Sequence, residues 1–443
     1  MMQKKHIFRA ITALVSALLL CSFPVFSVSA AETPSPERIG AAYLYNIEND
    51  KVIFEYNSEA QLYPAASVKV MSAIVAYEAL SDKMDTYIDI TKEMISGASG
   101  NHIAIEAGER IIVRDLFYAM LLKGANDAAY VLSYAAHGSL SAFVDQMNVR
   151  AAQLGMTQTH YTNPTGMHDE LMLSSAYDQA QAAKVFCSYT ELVEMSSVSK
   201  HVIEKTDHCQ QRNIYNRNAF VSKVNSLGTI KYYYEYAKGV SFGSTDEAGD
   251  SFVTMAQKDG LSYICVILGG EESENGENIY AFEAATALLD YALDGFGYVE
   301  VLNTEKFVHD MPVTLSEETD RVMLIPAGKI KAYLPYDIDI DTDITYTYTL
   351  SCESLTAPVK EGQAVGHISV YYGDTLLGTE QLVTQNEVKL SAFLSTLEHI
   401  KTFTKSKFFI CTSAALIVVT VGFVLINSFV RDRKRRKRSV RYR

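Results

Sequence analysis

Cysteine is scarce in this chain, with 6 in 443 residues. Cys21 falls in an N-terminal apolar run and Cys411 in a C-terminal one, which leaves Cys187, Cys209, Cys265 and Cys352. So few in so long a chain exclude a fold dictated by a disulfide framework, although an even count outside the cell permits a bridge. Their spacing fits no metal motif. The 10 histidines show no ligand spacing either, and His102 and Glu106 share a face only if that stretch is helical. No metal and no cofactor is expected. Positive charge is scarce between the two ends. The whole chain carries −13; without the +8 of residues 431–443 and the +3 of Lys4, Lys5 and Arg9, the balance over residues 10–430 is −24. A body this acidic is not suited to hold nucleic acid, and it repels anionic polymers unless cations or local basic patches intervene. No internal repeat is present.

Two long apolar runs are present. The first follows Lys4, Lys5 and Arg9, spans Ala10 to Leu20 and precedes the small residues Ser27-Val28-Ser29-Ala30-Ala31. That order is the pattern of a secretory signal, assigned here to residues 1–31. Cys21 follows Leu18-Leu19-Leu20, without the small residue that a lipoprotein signal places before its cysteine. The second run, residues 408–430, contains no charge. At about 1.5 Å per residue it would cover about 34 Å as a helix, enough to cross a bilayer. The basic run of residues 431–443 follows directly. Beside a membrane helix such a run marks a cytoplasmic tail and contacts anionic lipid, which places the body of the chain outside the cell. The expected site is a bacterial cell membrane crossed once.

Between these ends the pattern changes twice. Ala41 to Ile47 and Val52 to Tyr56 read as strands around a Glu48-Asn49-Asp50 turn. Helical spacing follows over Ser67 to Leu80, Val113 to Ala136 with a break at Lys123-Gly124-Ala125-Asn126, Leu140 to Leu154, Ser174 to Tyr189 and Glu191 to Ser197. Strands return at Gly239 to Phe242, Asp250 to Gln257 and Leu261 to Leu268. Asp259-Gly260 joins the last two as a hairpin, and Ile279 to Leu293 ends the unit as a helix. Helices packed on an antiparallel sheet are therefore expected over residues 32–297, an α/β (α+β) architecture. Residues 298–387 alternate strand-like runs with Gly and Pro, as in a small β-sandwich. In residues 388–407 apolar side chains at 390, 393, 394, 397, 400 and 403 predict an amphipathic stem. Tyr232-Tyr233-Tyr234-Glu235-Tyr236 is read as a half-buried strand rather than as a sugar-stacking platform.

Three short segments carry the chemistry. They are Tyr63-Pro64-Ala65-Ala66-Ser67-Val68-Lys69-Val70-Met71-Ser72, Gly124-Ala125-Asn126 and Ser241-Phe242-Gly243. Around them stand Val113-Arg114-Asp115-Leu116, Asn126-Asp127-Ala128-Ala129, Leu154-Gly155-Met156, Asn163-Pro164-Thr165-Gly166 and Thr245-Asp246-Glu247-Ala248-Gly249. Further on come Ala357-Pro358-Val359 and Gly362-Gln363-Ala364-Val365-Gly366. Any one is weak. In this order and spacing, over Ile39 to Val388, the chain resembles the D-alanyl-D-alanine carboxypeptidases of the low-molecular-mass penicillin-binding class.

The resemblance implies a serine β-lactamase-like transpeptidase domain, a β domain and a C-terminal membrane anchor. It implies the D-Ala-D-Ala end of the peptidoglycan stem peptide as substrate, and acyl transfer through a serine ester. The family's motifs are Ser-x-x-Lys, Ser-x-Asn and Lys-Thr-Gly. Each is damaged here. Lys69 keeps the base position, but Ala66 stands where the nucleophile belongs. Asn126 is kept, but Gly124 replaces the hydroxyl relay. Gly243 is kept, but Ser241 and Phe242 replace the Lys and Thr that hold the substrate carboxylate.

Ser67 does not readily substitute for the nucleophile, because two residues turn a helix by about 200° and its side chain diverges from Lys69. It is read as an exposed or capping residue. Phe242 is expected to narrow the slot. Lys238 is expected to face away from it. Asn126, Ser241 and Gly243 are the candidate ligand-binding positions, Asn126 being equally able to support its own turn. Losing the nucleophile alone costs on the order of 10⁶ in turnover. A pseudoenzyme that holds a wall peptide or a wall-synthesis protein is therefore expected, ahead of an active carboxypeptidase using Ser67 or a purely structural envelope protein.

Overall fold

The computed structural model describes residues 33–205, 208–223, 230–271, 273, 279–306 and 308–439. The signal assigned to residues 1–31, Cys21 within it, and residues 440–443 of the basic tail lie outside the described residues. Two units are formed, residues 33–297 with 335–337, and residues 298–334 with 338–439.

The first unit is built on a five-stranded antiparallel sheet. Its strands are β1 (Ala41–Asn46), β2 (Lys51–Tyr56), β7 (Ala237–Thr245), β8 (Gly249–Lys258) and β9 (Leu261–Gly270), in the order β2-β1-β9-β8-β7. The apolar runs of β8 and β9 are buried over most of their length, as in a sheet covered on both faces. Between β2 and β7 come two short ribbons that the sequence did not announce. β3 (Tyr87–Asp89) pairs with β4 (Arg110–Ile112), and β5 (Lys200–Ile203) pairs with β6 (Arg212–Tyr215). Strands of three or four residues are too short to show a period of two.

The helices are α1 (Val68–Leu80), α2 (Val113–Tyr118), α3 (Asn126–His137), α4 (Leu140–Gln153), α5 (Ala176–Ser188), α6 (Thr190–Ser197) and α7 (Tyr280–Gly295). α1 is apolar nearly all round and is buried from Val68 to Ala76, so it forms the centre of the unit rather than its surface. It packs against α3, α4 and α5 on one side of the sheet, while α7 covers β8 and β9 on the other. α2 runs into a π-helical turn, Ala119–Lys123, which ends at Gly124 in the left-handed region at φ 69°. Glycine accepts that conformation without penalty and lets α3 start at Asn126. The break expected at residues 123–126 is this turn.

Tyr232 to Tyr236 is not a strand. The segment turns ahead of β7, with Tyr232 buried, the Tyr234 ring 5.5 Å from Phe220 and the Tyr234 hydroxyl donating to Asp290 at 2.7 Å. Residues 102–105 are irregular rather than helical, so His102 and Glu106 do not share a helix face. Among the described residues no disulfide joins Cys187, Cys209, Cys265 or Cys352.

The second unit is rich in strands: β10 (Phe296–Leu302), β11 (His309–Thr314), β12 (Arg321–Pro326), β13 (Ile330–Pro335), β14 (Ile344–Leu350), β15 (Leu355–Thr356), β16 (Ala364–Tyr372) and β17 (Thr375–Thr384). Six form one sheet in the order β14-β16-β17-β12-β11-β15, and β10 pairs with β13. Val301, Ile330 and Leu334 of the pair share one core with Leu324, Ile368, Val370 and Leu382 of the sheet. The unit continues into α8 (Ala392–Lys405), capped by Ser391, whose hydroxyl accepts from Leu394 N–H, and α9 (Lys407–Ser439). Residues 407–434 of α9 are long and apolar enough to cross a membrane.

Candidate functional site

The first unit opens into a cleft of about 630 Å³ between the N-terminal ends of α1 and α3 and the edge strand β7. Ala66, Lys69, Gly124, Asn126, Phe242 and Gly243 all border it. The fold thus brings the three damaged motifs together across more than 170 residues of chain.

Ala66 stands on a tight turn, Ala65–Ser67, that feeds α1. Ala65 holds φ at 45°, a left-handed backbone that costs a residue with a Cβ about 1–2 kcal/mol. A Cβ on Gly166 would run into the Ala65 carbonyl, so the glycine of Asn163-Pro164-Thr165-Gly166 is required by close approach. On the other side, a Cβ on Gly243 would come within 2.7 Å of the Ala66 methyl. The elbow that would present a nucleophile is intact and strained, and it presents a methyl group.

Ser67 is buried rather than exposed, 1% accessible. Its hydroxyl donates to the Pro64 carbonyl at 2.7 Å, and its N–H donates to Ser251 Oγ at 3.2 Å. It sits at the N-terminus of α1 without capping it through its side chain. It does not border the cleft.

Lys69 is almost fully buried, and its ammonium donates to the Thr165 carbonyl at 2.5 Å. Burial, with a smaller contribution from the Arg217 charge, holds its pKa down to about 7. A neutral amine is therefore well populated at neutral pH, which is what a general base requires. No hydroxyl at position 66 is there to be deprotonated.

Asn126 supports the turn on which it sits. Its Nδ2 donates to the Ser99 carbonyl at 2.6 Å and its N–H donates to the Asn101 carbonyl at 2.7 Å. Asp127 beside it accepts from the N–H groups of Ile103 and Ile105, at 3.1 and 3.0 Å. Together they pin residues 99–105 over the start of α3. Asn126 Oδ1 is buried and has no hydrogen-bond partner among the described residues. Such an atom costs about 1–3 kcal/mol unless something fills the cleft.

Two readings of β7 need correcting. Ser241 does not offer its hydroxyl to a ligand: it donates to the Ala66 carbonyl at 2.9 Å, and the residue does not border the cleft. Phe242 does not narrow the slot with its ring. The ring packs 4.4 Å from Phe282 of α7 and 6.1 Å from Phe252 of β8, in the aromatic cluster on the far side of the sheet. Strand alternation is the reason, and it was available from the sequence: if 241 and 243 face α1, then 242 faces away. Lys238 lies beyond a bulge between Lys238 and Val240 and does not reach the cleft.

The second cation of the cleft is Arg217, which the motifs did not indicate. The neighbouring Asn216 fixes the segment by donating to the Ser196 and Val198 carbonyls, both at 2.9 Å. Arg217 N–H donates to the Leu122 carbonyl at 2.9 Å, just before Gly124. Burial lowers its pKa and the Asp250 charge raises it. Its signal in sequence is only an isolated basic residue between two asparagines.

Comparison with known proteins follows the same outline. Residues 28–272 match the model of the D-alanyl-D-alanine carboxypeptidase family, and residues 312–390 match that of the penicillin-binding protein 5 C-terminal domain. The chain belongs to the D-alanyl-D-alanine carboxypeptidase family. It is 24% identical to the D-alanyl-D-alanine carboxypeptidase DacF of Bacillus subtilis over 361 residues, 81% of this chain and 88% of the relative. It is 25% identical to DacC of Escherichia coli over 413 residues, 89% and 95% of the two chains. Among solved structures it is similar to penicillin-binding protein 6B of Escherichia coli, with TM-score 0.57 and 22% identity over 80% of this chain and 98% of that one. Penicillin-binding protein 5 of Haemophilus influenzae gives TM-score 0.55 and 21% identity over 81% and 99%. These structures share the fold.

Proposed function

We propose that this protein is a catalytically silent member of its family, anchored in the bacterial cell membrane through residues 408–430 after loss of residues 1–31. Its body, residues 32–297 with the β domain 298–387 and the stem 388–407, faces the wall, and residues 431–443 lie in the cytoplasm. The cleft binds the stem peptide of peptidoglycan, or a segment of a wall-synthesis protein, without cutting it.

The observation that carries this reading is Ala66 on an intact elbow, with the neighbouring hydroxyl of Ser67 committed to Pro64 and turned from the cleft. An active carboxypeptidase using Ser67 would have to break that bond and unwind the start of a buried helix. β7 is an edge strand, so its outer backbone groups are available to pair with an extended peptide.

The test is labelling of the full chain in detergent with a fluorescent penicillin, read by denaturing gel and intact mass, beside an Ala66→Ser variant. No adduct is expected on the native protein. A slow adduct is expected on Ala66→Ser, because Lys69 still supplies the base while the clamp at 241 and 242 is gone. An adduct on the native chain at Ser67 or any other serine would sink the reading.

One observation favours a structural role instead. The side chains of Ser241 and Phe242 now hold the fold rather than face a ligand. On that reading no wall peptide binds, and Lys69 and Asn126 matter only for stability.

A further inference from the structure

β14 closes one edge of the six-stranded sheet in the second unit. Its sequence, Ile-Thr-Tyr-Thr-Tyr-Thr-Leu, has no charge, no proline and no glycine. It pairs with β16 without a bulge, from Ile344 opposite Tyr372 to Leu350 opposite Gly366. Just beyond, Ser351 N–H donates to the Val365 carbonyl at 2.8 Å. By the alternation of an antiparallel ladder, the peptide groups of Thr345, Thr347 and Thr349 therefore face β16, and those of Ile344, Tyr346, Tyr348 and Leu350 face outward. Among the described residues no backbone group pairs with these four on the outer side. Thr345, Thr347, Tyr348 and Thr349 are exposed. Edge strands are ordinarily blunted by a lysine, a proline or a bulge, because an open row of N–H and C=O groups pairs with other extended chains. β14 carries none of these devices.

Acid gathers at both ends of the strand. Asp339, Asp341 and Asp343 lie at the helical turn Ile340–Asp343 that leads into it, and Glu353 follows it. Asp339 and Asp343 accept backbone N–H bonds within that turn, and among the described residues none of the three carboxylates is in an ion pair. Lys306 stands 3.3 Å from the centre of the Tyr346 ring, whose hydroxyl donates to the Val301 carbonyl, so this cation lies against the face of the strand and not along its open edge.

We infer that the outer edge of β14 is a docking site for an extended segment of another protein, uncharged and β-branched where it pairs and basic where it passes Asp341 and Asp343. Main-chain bonds to Tyr346 and Tyr348 supply the affinity, as in other strand additions. The acidic turn sets the direction and the choice of partner. A second copy of this chain fits poorly. Antiparallel self-pairing about Thr347 or Tyr348 sets Asp341 or Asp343 opposite Glu353 of the second copy, and like charges so placed are destabilising. The site lies within the β domain and is independent of what the cleft binds.

The experiment titrates the full chain in detergent with a fluorescent peptide of alternating valine and threonine that ends in a run of lysines. The same peptide ending in glutamates is the control. Anisotropy gives affinity, and amide hydrogen exchange gives the location. The lysine peptide is expected to bind roughly tenfold tighter than the glutamate peptide at low salt. Its binding should slow exchange within residues 344–350. Tyr348→Pro removes an outward N–H and should abolish binding, while Asp341→Asn with Asp343→Asn should erase most of the preference for lysine. Equal binding of the two peptides, binding of neither, or protection only elsewhere in the chain overturns the inference. So does protection of residues 344–350 that grows with protein concentration in the absence of peptide, which would assign the edge to a second copy. If Tyr348→Pro does not fold, exchange on the native protein still decides.

Discussion

Lys69 shows what burial does to an amine. Folding takes its amine out of water and brings Arg217 near, which holds its pKa down to about 7 from an ordinary 10.5. Below pH 7 the folded protein must hold a buried charge. Between about 7 and 10.5 the unfolded chain binds a proton that the folded one does not, so the Lys69 contribution makes stability rise with pH across that window. A tenfold loss of proton affinity on folding corresponds to about 1.4 kcal/mol. Replacing Lys69 by Met removes the penalty. Thermal unfolding should therefore show Lys69→Met gaining most over the native protein at pH 6 and least near pH 10. A gain independent of pH would mean that Lys69 stays charged in the cleft at every pH tested. Cys187, packed against the core, and Cys265, within the sheet, obey the same physics in the other direction: burial raises both thiols, Cys187 to about 12, and disfavours the reactive thiolate.

At the scale of elements, the cleft is assembled by connections rather than by the sheet alone. Residues 99–105 are pinned to α3 by Asn126 and Asp127, and the far end of the same connection is held by an ion pair. Glu109, with no accessible surface, accepts from Arg212 Nη1 at 3.1 Å and Nη2 at 2.6 Å, and Arg212 Nη2 also donates to the Ala104 carbonyl at 2.7 Å. Arg212 begins β6, and Arg217 lies two residues beyond its end, so this pair helps fix the segment that carries the cation of the cleft. Breaking a buried pair from one side strands the other charge and costs about 3–5 kcal/mol. Arg212→Met should lower the unfolding midpoint sharply, and adding Glu109→Leu should return most of the loss. If the double variant is no better than the single one, the pair is not the source of the effect. α1 argues the same way. Its apolar residues run all round, and only its central position between the sheet and three helices explains why that is tolerated.

At the scale of the whole molecule, one helix among the described residues is long and apolar enough to anchor the protein in a membrane. Residues 407–434 have the length and composition to span a bilayer, and α8 before them exposes Phe393, Leu397, Ile400 and Phe403. A chain ended at residue 391 should leave the membrane fraction on carbonate extraction, whereas the full chain should stay. Protease added to intact spheroplasts should digest the body and spare a tag placed after residue 443; digestion of the tag would reverse the proposed orientation. The apolar helix was legible in one dimension. An uncharged run of this length next to nine basic residues is a local pattern, and local patterns survive in sequence.

The sequence by itself determined the family, the missing hydroxyl at 66 and 124, the main helices and strands of the first unit, and the apolar span. Each depends on residue type at a fixed spacing, which folding does not alter. The tertiary structure alone decided what the remaining side chains do. Ser67 turns inward because Pro64 offers a carbonyl. Ser241 is tied to Ala66, 175 residues away in the chain, and Arg217 arrives beside Gly124 from a different connection. The two short ribbons form because loops meet, not because their sequences repeat. Spacing fixes which groups a protein owns; which of them share a cleft, and whether their hydrogen bonds are already taken, depends on packing between segments distant in sequence.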